Sequence, residues 1–211
     1  MDLEFAVIAI IILIFSAILH EIAHGLVAEK LGDPTARLLG RITLNPRSHI
    51  DPFMSLLLPL ILILGGSPVI IGGAKPVPVD PFNLREPKKD MALVSLAGPL
   101  TNFLIAFIVA FVFNFISPFI TDPLILRIIY TIVQLNLLLG IFNLLPVPPL
   151  DGSKVFALFL PEDMTKTYLG IGSFGIFIIF FLLTPISPIP LGSLLFGALA
   201  SFMAILGMPI S

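Results

Sequence analysis

The sequence predicts an all-α integral membrane protein, a bundle of five transmembrane helices plus one re-entrant or sixth segment, with a small extended element. Hydrophobic residues make up 57% of the 211 residues and charged residues only 11%, whereas soluble domains carry about 25% charge. The mean hydropathy is +1.12, and several apolar runs are long enough to cross a hydrocarbon core of about 30 Å. This length leaves no room for a sizeable soluble module. We therefore expect residues 1–211 to form a single polytopic domain.

The five helices are expected where long apolar runs end at charged residues or prolines, which commonly mark helix ends. The first run has no basic residues before it, so we expect it to stay in the membrane as a signal-anchor helix. The runs cover residues 5–28, 91–116, 124–145, 168–184 and 191–208.

Residues 53–72 are ambiguous, because they are apolar and long enough to span but are interrupted by Pro59, Gly65, Gly66 and Pro68. Of the 11 Lys and Arg residues, ten fall within residues 29–52, 73–90 and 152–167. Lys and Arg are enriched in cytoplasmic loops. A re-entrant segment would place all three basic loops on that side, and a sixth span would separate the first two. The charge pattern favours the re-entrant alternative.

Composition also excludes some functions. The net charge of −2 and the lack of a basic patch with interleaved aromatic residues give no sign of nucleic-acid binding. The chain has no cysteine, so any bound metal must be held by nitrogen and oxygen ligands.

The first apolar run contains the motif His20-Glu21-Ile22-Ala23-His24. The H-E-x-x-H spacing places two imidazoles one turn apart on one helix face, as two ligands of one zinc ion require, with the glutamate beside the metal as a general base. Five-residue patterns also recur by chance in helices that bind no metal. Ionisable groups inside a membrane are costly and usually functional, so this position favours a metal site towards the cytoplasmic end of the helix.

A catalytic zinc ion needs a third protein ligand and one open position. The candidates are His49 and the carboxylates. Asp151 is favoured because prolines 146, 148 and 149 end the preceding helix and Gly152 permits a tight turn, which can direct one carboxylate back into the membrane. The alternative is an ordinary solvated aspartate in a loop.

These motifs resemble those of the site-2 protease family of intramembrane zinc metalloproteases, in its short bacterial and archaeal form. The resemblance includes the H-E-x-x-H motif, the N-x-x-P-x-P-x-L-D-G pattern of residues 143–152, and residues 73–79 and 97–102. It implies that His20, His24 and Asp151 bind one Zn²⁺ per chain, that Glu21 is the catalytic base, and that Asn143 binds the substrate carbonyl or its developing oxyanion. The alternative for Asn143 is a hydrogen bond between helices.

Two further features have competing interpretations. Residues 75–80 alternate prolines with valines before Asp80, which suits an extended edge beside the active site that could pair with an unwound substrate strand. The alternative is a rigid surface loop. His49 either belongs to the site or has a structural role at a loop boundary.

The sequence therefore predicts a multi-pass cell-membrane metalloprotease that hydrolyses peptide bonds within or beside transmembrane segments of its protein substrates. Its partners would be these substrates and the lipid bilayer. Two rival functions are a catalytically silent protein of the same fold that binds partner helices, and a metal transporter. Neither rival gives a reason to retain Glu21 between the two histidines.

Overall fold

A computed structural model describes residues 3–50, 57, 74–184 and 186–208. The described part of the chain is helical and contains no β-strand. Its α-helices are α1 Leu3–Leu31, α2 Thr35–Leu38, α3 Pro87–Ile116, α4 Pro123–Asn143, α5 Asp151–Ala157, α6 Glu162–Gly170, α7 Gly175–Leu183 and α8 Leu191–Ile205.

Three helices, α1, α3 and α4, are long and apolar enough to cross a membrane, and the pair α6 and α7 would make a fourth span if counted as one. Proline and aspartate residues determine where α3 and α4 begin. Pro87 and Pro123 occupy the first turns of α3 and α4, where a missing N–H costs nothing, and the Asp122 side chain accepts a hydrogen bond from Leu124 N. The chain is thus an α-helical membrane protein, as predicted.

Helix α3 lies at the centre and contacts α1, α4 and α5. Small side chains on its buried face, among them Ala97, Gly98, Ala106 and Ala110, allow the neighbouring helices to approach closely. Away from these contacts, exposed side chains such as Ile10, Phe111 and Phe115 form an apolar surface suited to lipid.

The prediction of one continuous helix over residues 168–184 was wrong. Helix α6 ends at Gly170, a 3₁₀ turn occupies Gly172–Phe174, and α7 then leaves at an angle of 70°. Gly172 has φ +50°, a conformation that breaks a right-handed helix and that glycine adopts easily. The final helix is shorter than predicted, because the chain turns at Gly207, which has φ +73°.

Residues 74–80, where the extended element was predicted, form neither helix nor strand, and this stretch is called the extended segment. The ambiguous segment 53–72 lies outside the described residues, apart from Leu57. The basic loops meet at one end of the bundle. Arg41 Nη2 donates to Lys75 O at 2.8 Å, and Lys88 Nζ donates to Leu160 O at 2.6 Å.

Candidate active site and metal centre

His20 and His24 lie on one face of α1, one turn apart, and both are buried. Their rings meet edge to face, with centroids 4.6 Å apart. The opposing surface is Gly98 of α3. A Cβ at this position would lie 2.5 Å from Nε2 of each histidine, so the absence of a side chain at position 98 makes room for both rings.

Asp151 is the first residue of α5, and its carboxylate reaches the same point. Its Oδ2 lies 3.1 Å from His20 Nε2 and 3.3 Å from His24 Nε2. The turn needs Gly152, because a side chain there would collide with the carbonyl groups of Leu144 and Leu145. The structure thus brings together the three residues that the sequence analysis selected, across 131 positions of the chain.

The ligand atoms of these three residues all lie within 4.8 Å of one another. Burial raises the pKa of the Asp151 carboxyl, but the hydrogen bonds with His20 and His24 and the charge of Lys154 outweigh it and hold that pKa well below its usual range. A buried, ionised carboxylate and two imidazoles are a suitable ligand set for zinc.

The second nitrogen of each imidazole is already engaged. His24 Nδ1 donates to the carbonyl of Val94 at 2.7 Å, and His20 Nδ1 lies 2.6 Å from Asn102 Oδ1. Both rings therefore turn Nε2 towards Asp151. The residues fit zinc, because metal-bound histidines are usually held in this way through their other nitrogen.

Glu21 lies beside this cluster and lines the same cavity of about 300 Å³. Its Oε2 accepts a hydrogen bond from Val77 N at 2.7 Å. One carboxylate oxygen is thus tied to the extended segment.

Asn143 is the last residue of α4 and also lines the cavity. Its Nδ2 donates to Leu139 O at 3.0 Å, within its own helix. Among the described residues, the structure records no hydrogen bond from Asn143 to another helix. An amide nitrogen carries two protons, so one N–H remains after this bond.

The extended segment forms one wall of the cavity through Pro76, Val77 and Val79. His49 lies outside the histidine–aspartate cluster. It is buried, Nε2 lies 2.9 Å from Thr43 O, and its carbonyl accepts a hydrogen bond from Lys75 N at 2.8 Å. His49 therefore contributes to holding the segment in place.

Asp33 anchors the other end of the segment. Its buried carboxylate accepts hydrogen bonds from Asp80 N at 2.7 Å and Asn83 Nδ2 at 2.9 Å, and also from Thr35. Burial raises the pKa of Asp33, but the bonds from Thr35, Asn83 and Asp80 outweigh it and lower that pKa below its ordinary value.

Sequence reasoning assigned no specific role to several residues of the site. Lys154 lines the cavity, with Nζ 3.5 Å from Asp151 Oδ1. Asn102 and Asn136 are completely buried behind His20. Their signal was a polar side chain within an apolar run, but the sequence did not indicate which neighbour each one contacts.

Comparison with known proteins identifies the family. The model for peptidase family M50 matches residues 8–127 and 120–183. The chain belongs to peptidase family M50. It is therefore a site-2 protease, an intramembrane zinc metalloprotease, and the family, enzyme class and zinc cofactor predicted from sequence are confirmed.

Relatives of this M50 member occur in bacteria and archaea. The YwhC protein of Bacillus subtilis is 39% identical over 180 residues, which cover 82% of this chain and 78% of the relative. The Rip2 protein of Mycobacterium tuberculosis is 32% identical over 137 residues, 65% of this chain and 51% of the relative. The zinc metalloprotease MJ0392 of Methanocaldococcus jannaschii is 28% identical over 158 residues, 75% of this chain and 36% of the relative. No solved structure matched significantly.

Proposed function

We propose that this M50 protease hydrolyses peptide bonds within or beside transmembrane segments, with His20, His24 and Asp151 as the zinc ligands and Glu21 as the general base. The observation that supports the assignment most strongly is the convergence of the three ligand atoms within 4.8 Å, beside a cavity that Glu21 lines. Zinc, when bound, polarises the scissile carbonyl and increases the acidity of water.

Glu21 transfers the proton. Its Oε2 is held by Val77 N, which leaves Oε1 to accept the proton of the attacking water and return it to the nitrogen of the leaving amine. Asn143 directs its remaining N–H to the substrate carbonyl, where negative charge develops. Its position on the cavity wall supports this role.

Residues 75–79 position the substrate. A transmembrane helix must unwind before it is cut, and an extended peptide can then pair with an exposed edge. The N–H groups of Lys75 and Val77 donate within the protein, and prolines 76 and 78 have none. Arg41 Nη2 already donates to the carbonyls of Lys75 and Pro76. The segment therefore offers a substrate chiefly the carbonyl acceptors of residues 77–79, and the Val77 N–H only if Glu21 releases it.

We also propose that residues 1–211 form one multi-pass domain with the active site towards the cytoplasm. Its five spans would be α1, α3, α4, the bent pair α6 and α7, and the shorter α8, in addition to a re-entrant segment. The backbone hydrogen bond between His49 and Lys75 supports the re-entrant segment, because the chain must leave and return at the same end of the bundle. The meeting of the basic loops at the end where His20 and His24 lie supports the orientation.

The test uses purified protein in liposomes, a panel of single-span substrates, and metal analysis. Zinc should be present at one per chain in wild type and in Glu21→Gln, but lost in His20→Ala, His24→Ala and Asp151→Ala. Glu21→Gln should cleave nothing, because an amide cannot accept the proton. Glu29→Gln, on the same helix but paired with Arg37 outside the cavity, is the matched control and should cleave normally. Full zinc occupancy in Asp151→Ala, or cleavage by Glu21→Gln, would refute the corresponding assignment.

A second pair of variants tests the extended segment. Val77→Pro removes the N–H that holds Glu21, and Val77→Ala keeps it. We expect Val77→Pro to lower kcat by about 10-fold or more while zinc stays bound, because the base loses its orientation. Val77→Ala should retain most of the wild-type kcat. Equal rates in the two variants would show that the hydrogen bond has no catalytic role.

A further inference from the structure

Behind His20, three buried polar side chains form a continuous chain of hydrogen bonds across α1, α3 and α4. Asn102 Oδ1 lies 2.6 Å from His20 Nδ1, and Asn102 Nδ2 donates to Asn136 Oδ1 at 2.9 Å. Asn136 Nδ2 donates to Ser16 Oγ at 2.9 Å and to the carbonyl of Ile132 at 2.9 Å. Asn102 and Asn136 are 0% exposed and Ser16 is 5% exposed.

In this hydrogen-bond network, the Ile132 carbonyl determines which group donates and which accepts in every bond. The Ile132 carbonyl can only accept, so the NH₂ group of Asn136 must face it and Oδ1 must face Asn102. Asn102 must then donate to Asn136 and turn its own Oδ1 to His20. Since this oxygen can only accept, Nδ1 must carry a proton, and Nε2, which faces Asp151, is the nitrogen that can offer its lone pair to a metal.

We propose that Asn102 and Asn136 are positioning residues that fix the tautomer and ring orientation of His20, so that Nε2 is available to bind zinc. This inference rests on the proposed role of His20 as a zinc ligand. His24 reaches the same state through a single bond to the Val94 carbonyl. The two histidines are therefore oriented by different hydrogen bonds. Those that orient His20 depend on the packing of three helices.

The network does more than pair buried polar groups, because only one orientation of the Asn102 amide leaves His20 Nε2 available for zinc. An unpaired amide in an apolar interior costs about 1–3 kcal/mol, which any paired arrangement would avoid. A reversed Asn102 would present NH₂ to His20 and stabilise a proton on Nε2, where zinc must bind. The recorded orientation is the one compatible with metal binding. Loss of such outer partners typically weakens metal affinity by about 10–100-fold.

The first test measures the tautomer of His20 in the wild-type protein and uses a variant only to assign the spectrum. The chain has three histidines, His20, His24 and His49, so a long-range ¹H–¹⁵N spectrum of the zinc-free protein in detergent can be assigned with His20→Ala. We expect Nδ1 of His20 to carry a proton, whether or not Nε2 shares a second proton with Asp151. An unprotonated Nδ1 would overturn the proposal.

The second test measures zinc affinity by competition with a chromophoric chelator, together with thermal unfolding. Asn136→Leu should weaken zinc binding by about 10–100-fold, because Asn102 loses the partner that orients it. Adding Asn102→Asp to this variant should restore most of the affinity, since a carboxylate can only accept from His20. A merely structural role for Asn102 predicts no such rescue.

Asn114→Leu is the matched control. Asn114 lies on α3 and donates to Leu206 O at 2.9 Å, away from the site, so this change should leave zinc affinity unaltered. Wild-type affinity in Asn136→Leu, or an equal loss in Asn114→Leu, would refute the proposal. If Asn136→Leu does not fold, the NMR measurement still decides. Zinc retention in His20→Ala would instead refute the ligand assignment itself.

Discussion

Gly98→Ala should remove zinc from the protein but leave it folded. The added methyl carbon would lie 2.5 Å from His20 Cε1, His20 Nε2 and His24 Nε2, whereas non-bonded carbon contacts are optimal at about 3.5–4.0 Å. Both rings would have to move by about 1 Å. Metal–ligand distances tolerate only about ±0.2 Å, so zinc affinity should fall by about 100-fold or more.

The net loss of stability should not exceed about 2.5 kcal/mol, because two effects oppose each other. Overpacking a buried position costs about 1–3 kcal/mol, and replacing glycine by alanine inside a helix recovers about 0.5–1 kcal/mol. The assay is zinc content after purification, with thermal unfolding in detergent of the same zinc-free samples. Gly197→Ala is the matched control, because position 197 lies within α8 and, among the described residues, no atom beyond its chain neighbours and its own helix backbone lies within 4 Å of the added carbon. A Gly98→Ala protein with a full equivalent of zinc and normal cleavage would refute this account of the site.

Three other predictions concern the substrate contact, pH and topology. Asn143→Ala should slow cleavage by about 10²–10³-fold if it stabilises the oxyanion, and near-normal turnover would remove it from the mechanism. Because the folded-state pKa of Asp33 is lowered, its carboxylate stabilises the fold above the unfolded pKa of about 3.9 and loses this effect as the pH falls through the folded value. Asp33→Asn should therefore lower the unfolding temperature at pH 7 but hardly at pH values below that folded pKa, and an equal shift at both would contradict it. Single cysteines at Ser48 and Lys75 should be protected from an impermeant reagent in intact cells while one at Thr121 is labelled, and labelling at 75 but not at 48 would favour six spans.

The three long helices were predictable because each rests on a long, predominantly apolar run. Their observed ends differ from the predicted ones by at most a few residues, since prolines and charges mark these ends in the sequence. The region after Asp151 was less predictable. Residues 168–184 are apolar enough to span, but Gly172 adopts a positive φ and the helix breaks there. Hydrophobicity can be read from the composition of a segment. The composition does not show which glycine will adopt a positive φ and end a helix.

Some residues of the candidate site could be placed from local sequence, and others could not. His20, Glu21 and His24 could be placed together because helical spacing alone determines which residues share a face. Asp151 required the additional information of a helix stop and a turn. Asn136 and Ser16 are 120 positions apart, and their contact depends on how α1 and α4 rotate about their axes. No local pattern in the sequence specifies that rotation.

The proposed metal centre of this protease is a product of helix packing around α3. The H-E-x-x-H motif supplies two imidazoles on α1, but α3 supplies the groups behind both of them, the Val94 carbonyl and Asn102. It also supplies Gly98, and it contacts α5, which carries Asp151. Polar groups in an apolar interior must find partners or raise the free energy of the fold. The hydrogen bonds that meet this requirement also point two imidazole nitrogens at one carboxylate, so the same contacts that stabilise the bundle organise the site for zinc.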